Sequence, residues 1–309
     1  MLVRSFIGIL ICVGEAKGPP LPGKDHFEIG ESLFMSSEIA HAAFYLALLL
    51  GAIYGSRVLE KRWPIADIPS SEFRDDWLAV IVSVGLSSLL GPLAAIVAGT
   101  IASYTGLGWI HLPTEGYWWY ASLAFVVVAL DLYKYTFHRL QHAIPFLWSM
   151  HSFHHSANAV TFITGARHYW LERVLADAFL PILAILFRIP PDMAIATGVI
   201  FFIPDACAHL NVRIPLGRFV TWINNPQWHR IHHSVLMEHR DKNFAAFFPL
   251  WDILFGTACV PKPDEYPATG LVPAERVDII NSVIWPIRHL RHRASKNDWA
   301  KGLLLLFRR

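Results

Sequence analysis

Residues 117–156 read YWWYASLAFVVVALDLYKYTFHRLQHAIPFLWSMHSFHHS, and this stretch decides the fold. Its first half, residues 117–137, is an apolar run headed by aromatic residues and long enough to cross a bilayer as one helix. Histidine then takes over. His138 and His142 form an H-x-x-x-H pair, and His151, His154 and His155 form an H-x-x-H-H triplet. A second triplet, His229, His232 and His233, repeats that spacing in NNPQWHRIHHS. Residues i, i+3 and i+4 share a helix face, so each cluster is expected to aim two or three imidazoles at one point. Three such clusters offer eight nitrogen donors, enough for two metal ions at about four ligands each.

The rest of the 309-residue chain suits a helix that crosses a membrane. It is 54% apolar and only 16% charged, with a mean hydropathy of +0.39, which is too apolar for an ordinary soluble domain. Twelve tryptophans suit the two membrane interfaces. A net charge of +2 gives no ground for a nucleic-acid partner. Cys12, Cys207 and Cys259 form no C-x-x-C, which argues against a disulfide framework and against a cysteine-held zinc or iron–sulfur site. Upstream of the opening stretch, residues 39–58 and 77–104 are further spans, with Gly91-Pro92 expected to kink the second. Arg57 ends the first of these spans and Lys61, Arg62 and Arg74 lie between the two, whereas the loop at 106–116 has no Lys or Arg. The positive-inside rule then puts the histidines that follow residue 137 on the cytoplasmic face. Residues 1–14 have a basic start and a short apolar run, readable as a signal, an anchor or neither.

Residues 174–187 and 193–208 are apolar but short, joined by Arg188-Ile189-Pro190-Pro191. A hairpin dipping into the membrane is the preferred reading and two short full spans the alternative. The expected fold is mostly α: an integral membrane protein with about four transmembrane helices, that hairpin, and a cytoplasmic histidine-rich catalytic cap. The expected division is an N-terminal segment and loop at 1–37, transmembrane helices at 38–137, a catalytic region at 138–260 with the hairpin at 174–208 inside it, and a C-terminal basic tail at 261–309. That tail carries Arg288, Arg291, Arg293 and Lys296, then Leu303–Phe307, and could lie on an anionic membrane or stay solvated. A bacterial inner membrane is favoured by the compact loops, with the endoplasmic reticulum as the alternative. The sequence leaves the oligomeric state open.

Eight clustered imidazoles would repel one another if protonated and be unsatisfied if buried, and a metal resolves both problems. The remaining isolated histidines, His26, His41, His111, His239, His289 and His292, read as ordinary core or surface residues. Imidazole suits iron, zinc, copper and nickel. No H-E-x-x-H is present, which argues against a zinc peptidase of that type. Three classes stay open: an oxygen-using lipid enzyme, a zinc membrane enzyme such as a hydrolase, and a metal-binding or transport protein.

The run D-L-Y-K-Y-x-x-H-R-x-x-H, then L-W-x-x-H-x-x-H-H-S, W-H-R-I-H-H, D-x-N-F and P-L-W-D-x-L-F-G-T resembles the fatty acid hydroxylase and sterol desaturase superfamily over residues 131–257. The resemblance implies an integral-membrane, non-haem di-iron enzyme that uses O2 to hydroxylate or desaturate a membrane lipid such as a sterol or fatty acyl chain. It implies two iron ions, and electrons from NAD(P)H through an external cytochrome b5-like or ferredoxin-like carrier, since no G-x-G-x-x-G fingerprint is present. Carried over residue by residue, the ligands are His138, His142, His151, His154, His155, His229, His232 and His233, with His209 as a ninth. His168, in HYWLE where the family often has a His-Pro-x-Glu-like element, is a metal or outer-shell residue. Metal-bound imidazoles give their other N–H to a carboxylate or carbonyl, and the candidates are Asp131, Asp205, Asp241 and Asn243. Arg139 and Arg230 each follow a ligand and serve packing or steer an acidic donor protein. Residues 249–257 are expected to be structural, with Trp251 and Phe255 packing and Gly256 turning the chain.

Overall fold

The computed structural model describes residues 50–104 and 110–275, together with residues 47, 277, 280 and 282–287. Residues 1–14, and the basic tail beyond residue 287, lie outside the described residues. So does most of the span expected at 39–58, of which residues 50–62 are described and helical. The rest is mostly α. Helix α1 is Ser70–Tyr104, α2 Trp118–Ala143, α3 Pro145–His155, α4 Trp170–Leu186, α5 Pro191–Ala208, α6 Pro226–His232 and α7 Leu250–Leu254. Among the described residues the only β pairing is two isolated bridges, Pro64 to Val212 and Ser234 to Thr269.

Among the described residues three helices are long and apolar enough to cross a membrane, over Ser70–Ile101, Trp118–Ala143 and Pro191–Ala208. Along α1 the side chains of Leu89, Leu93, Ile96, Val97 and Ile101 are exposed, as a lipid-facing surface requires. The helix continues through Pro92. The span expected to end at Phe137 runs on to Ala143, so His138 and His142 ride on the last turns of the same helix. Its end is sharp because Ile144 is extended and Pro145 opens α3, where a missing N–H costs nothing. The segment expected as a hairpin forms α4 and α5, of 17 and 18 residues. At 18 residues α5 reaches the lower end of a full span.

Helix α1 packs along α4, and α2 packs on α3 and α5. A buried cluster of Ala79, Met150, Phe153, Tyr169, Val277 and Trp285 ties α1, α3 and α4 together. The described part of 261–309 is therefore not a free tail. Trp285 is fully buried, meets Phe153 edge-on and donates its indole N–H to Ser152. Burying an indole of this size contributes on the order of 2–3 kcal/mol. Glu60 is a further tie: its buried carboxylate accepts from the amides of Phe162 and Asn211, which holds helical residues 50–62 against the segments around those two residues.

Candidate metal centre

The helices bring nine histidines together in two groups. His138, His142, His151, His155 and His232 form one, and His154, His209, His229 and His233 the other, with ligand atoms inside each group within 4.8 Å of one another. These nine are the ones expected from the sequence, but the sorting differs. Each triplet does not converge on one point. His151 and His155 join the first group and His154 the second, while His229 and His233 join the second and His232 the first. At about 100° per residue, i+4 lies about 40° to one side of i and i+3 about 60° to the other. The i,i+4 pair therefore shares a target and the i+3 imidazole points elsewhere.

Six of the nine rings are held by Nδ1. His138 Nδ1–H donates to the Phe244 carbonyl at 2.9 Å, His232 to Lys242 at 2.8 Å, His154 to Arg167 at 3.2 Å and His209 to Asp205 at 3.4 Å. His142 donates to the Asp241 carboxylate at 3.2 Å and His151 to Glu172 at 2.9 Å. A carbonyl or carboxylate oxygen only accepts, so the proton sits on Nδ1 and the Nε2 lone pair points inward. His138 Nε2 faces His151 Nε2 at 3.0 Å, and His154 Nε2 faces His209 Nε2 at 3.3 Å. Two lone pairs at that distance repel. Protonation offers no relief, because burial lowers His209 to about 4 and His232 to about 3. Burial, and after it the neighbouring imidazoles, also holds His154, His155, His229 and His233 well below 6.5. His232 Nε2, His229 Nδ1 and His233 Nδ1 are buried without a hydrogen-bond partner. Neutral, converging, unpartnered imidazoles fit a metal ion in each group.

The loop 241–245 supplies three of the acceptors, and its sequence explains how. Asp241 and Asn243 both have positive φ, at 56° and 58°, a region Asp and Asn tolerate better than other side chains. Asn243 then locks the loop: its Oδ1 accepts from Cys259 N–H, and its amide donates to the carbonyls of Trp228 and Cys259. Asp252, fully buried, accepts from the amides of Phe244 and Ala245 and from the Thr257 hydroxyl. This fixes the Phe244 carbonyl under His138. Gly165 makes the close approach that His209 needs, since a Cβ there would lie 3.0 Å from His209 Nδ1.

The expected histidine partners fare unevenly. Asp241 is one. Asp131 is not: its carboxylate accepts from the amides of Phe247 and Phe248 and from the Trp251 indole. Two helical turns, roughly 10 Å, separate it from His138 along the axis, too far for a direct bond. Asp205 serves His209 through its backbone carbonyl, not its carboxylate. Asn243 braces the loop. Arg230 is buried with its Nε–H on the Pro267 carbonyl, a packing role and not a steering one. Residues 249–257 are structural, with Phe255 stacked on Tyr135 and Gly256 at φ 71°. His168 belongs to neither group of the nine. It stacks on His154 at 4.3 Å and its Nδ1–H donates to Glu172 at 3.0 Å.

Glu172 has a role in the centre that the sequence alone does not assign. One oxygen accepts from His151, His168 and Gln141, the last at 2.7 Å. Burial alone would raise its carboxyl, but His168 and His151 outweigh that and hold it well below the usual carboxylate range. The signal was the i,i+4 spacing of His168 and Glu172 at the start of an apolar helix. Beside this centre lies a cleft of about 140 Å³ whose walls include Tyr133, Phe137, His138, His154 and His209.

A family model described as Fatty acid hydroxylase matches residues 123–257, which contain all nine histidines. Alkylglycerol monooxygenase of Caenorhabditis elegans is 30% identical over 168 residues, covering 54% of this chain and 32% of that protein. The Danio rerio alkylglycerol monooxygenase is 29% identical over 207 residues, covering 66% of this chain and 44% of its own. Ornithine lipid hydroxylase OlsE of Rhizobium tropici is 27% identical over 135 residues, covering 44% and 40%. The chain thus spans less than half the length of these relatives. No solved structure matches it. The family match lies on the same segment that builds both histidine groups, so residues 123–257 are the part of the chain that is similar to the fatty acid hydroxylase family.

Proposed function

We propose that the chain oxidises a membrane lipid with O2, by hydroxylation or desaturation, at two irons held by the two histidine groups. His138, His142, His151, His155 and His232 would hold one ion, and His154, His209, His229 and His233 the other. The observation that carries this reading is the set of inward Nε2 lone pairs at 3.0 and 3.3 Å, one such pair in each group. The lipid hydroxylases and monooxygenases among the relatives support it. The bound irons would supply the O2-activating redox chemistry that side chains lack. Hydroxylation would consume O2, two electrons and two protons, placing one oxygen in the lipid and the other in water. Desaturation would take two hydrogens from the lipid and give two waters. The electrons would come from NAD(P)H through a cytochrome b5-like or ferredoxin-like carrier. The chain's own part is positional: acceptors on Nδ1 fix each ring, and the cleft holds the lipid carbon beside the centre. The basic residues before α1 support a cytoplasmic centre, in a bacterial inner membrane by preference.

The test is metal content and O2 uptake on detergent-purified protein, beside a His154→Ala/His232→Ala double variant that removes one donor from each group. About two irons per chain and an O2-dependent spectral change are expected, with the second group's iron and the spectral change lost in the variant. Two zincs after iron-replete expression, with no response to O2, would overturn the redox reading in favour of a hydrolytic metal enzyme.

A further inference from the structure

Charged side chains inside membrane-spanning helices are costly and mark function, and two of them line the cleft beside the centre. Lys134 lies on α2 one turn before His138, and Asp205 lies on α5 one turn before His209. Lys134 reaches across to α5, its Nζ 5.4 Å from the centre of the Phe201 ring, and Asp205 is one turn further along the same helix. Asp131, the nearest acid on α2, is already taken by the amides of Phe247 and Phe248 and by the Trp251 indole. Among the described residues neither Lys134 nor Asp205 forms an ion pair, although both line one cleft, with Glu172 and Arg173, where opposite charges attract. A third group points the same way. Glu172 lines this cleft too, and its second carboxylate oxygen is buried with no hydrogen-bond partner.

We propose that this cleft is a headgroup site for a lipid whose polar end carries both charges, with Lys134 taking the anionic group and Asp205 the cationic one. Glu172 offers its open oxygen to a hydroxyl or ammonium hydrogen deeper in the cleft. This rests on the lipid-oxidation reading and names its substrate class. Its volume adds the position of attack. About 140 Å³ is well below the roughly 300–1,000 Å³ that encloses a drug-sized ligand, so only the polar end and the first carbons fit. One helical turn, about 6 Å, separates each charge from a candidate metal ligand on its own helix. The carbon oxidised is therefore within a few bonds of the head, and the rest of the chain lies outside along the apolar helix faces.

The experiment is equilibrium binding by native mass spectrometry on the full-length, metal-loaded protein. The probes are lysophosphatidylethanolamine as the zwitterion, oleic acid as the anion and cholesterol as the neutral lipid. The zwitterion should bind about tenfold tighter than cholesterol. Lys134→Gln should weaken the zwitterion and oleic acid about tenfold, and Asp205→Asn should weaken the zwitterion alone, both with metal content unchanged. Lys134→Arg should restore the preference. Equal affinity for all three lipids, or variants that bind as the parent does, overturns the proposal. So does a product oxidised at mid-chain or at the far end. If the charge preference holds but no lipid consumes O2, the oxygenase reading fails and the headgroup site stands. If cholesterol is oxidised as readily as the zwitterion, the reverse is true.

Discussion

The two histidine groups are built from the same residue type but anchored differently. In the first, His142 and His151 are held by the side chains Asp241 and Glu172, and the Asp241 side chain is 36% exposed. In the second, the bonds at Nδ1 run to the backbone carbonyls of Arg167 and Asp205, and all four histidines are buried. The first group also has five members and the second four. The first can thus be tuned by substituting an anchor, and it has a donor to spare. The second is fixed by the fold itself and has no surplus.

The sharpest way to break this contrast is to remove one donor from each side. His209→Ala leaves the second group three imidazoles, and should lose about one of two metals and nearly all activity by metal analysis and turnover. His142→Ala leaves the first group four, and should keep most of its metal. Equal loss in the two variants would erase the contrast. Next, anchor substitutions should act only on the first group. Glu172→Gln should cost roughly 10–100-fold in metal affinity or activity, as loss of an outer-shell carboxylate does. Asp241→Asn, at a half-exposed carboxylate, should cost only a few-fold.

Acid sharpens the contrast in the metal-stripped protein. His209 and His232 titrate at about 4 and 3 when folded, against 6.5 when unfolded. Between those values the unfolded chain binds the extra protons, so stability is full above about pH 6.5 and falls as pH drops toward 4 and then 3. Thermal melting of the stripped protein across pH 7 to 4 should show the decline, and loaded metal should shift it to lower pH. A melting temperature indifferent to pH would mean these rings are not buried neutral. The smallest effect is expected at Gly165→Ala. Its Cβ would press on His209 from 3.0 Å, so it should disturb the second group's metal spectrum with a stability loss of about 1 kcal/mol.

Much of this was legible in the sequence because histidine spacing and apolar length are direct signatures. All nine imidazoles could be named, and His209 was found at the end of α5. Their sorting could not be, because face-sharing on a helix is coarser than the angle between i+3 and i+4. The carbonyl anchors at Arg167, Lys242 and Phe244 left no trace, since every residue has a carbonyl and only the fold decides which one meets a ring. Asp131 misled by lying on the right face at the wrong height. Trp285 was hidden in a segment whose charge suggested a tail, although one buried indole outweighs many solvated charges in placing a segment.

The crosswise division of the triplets has one more consequence. Helix α3 gives His151 and His155 to one group and His154 to the other, and α6 with its cap does the same in reverse. Two rigid rods are thus stitched together twice, by two knots that lie side by side, with His155 of one stacked on His233 of the other at 4.4 Å. An ion tied into either knot sets the angle between the rods, and with it the spacing of the donors awaiting the other. Loading either site should therefore ease loading of the other, like a zip whose second tooth is already aligned by the first.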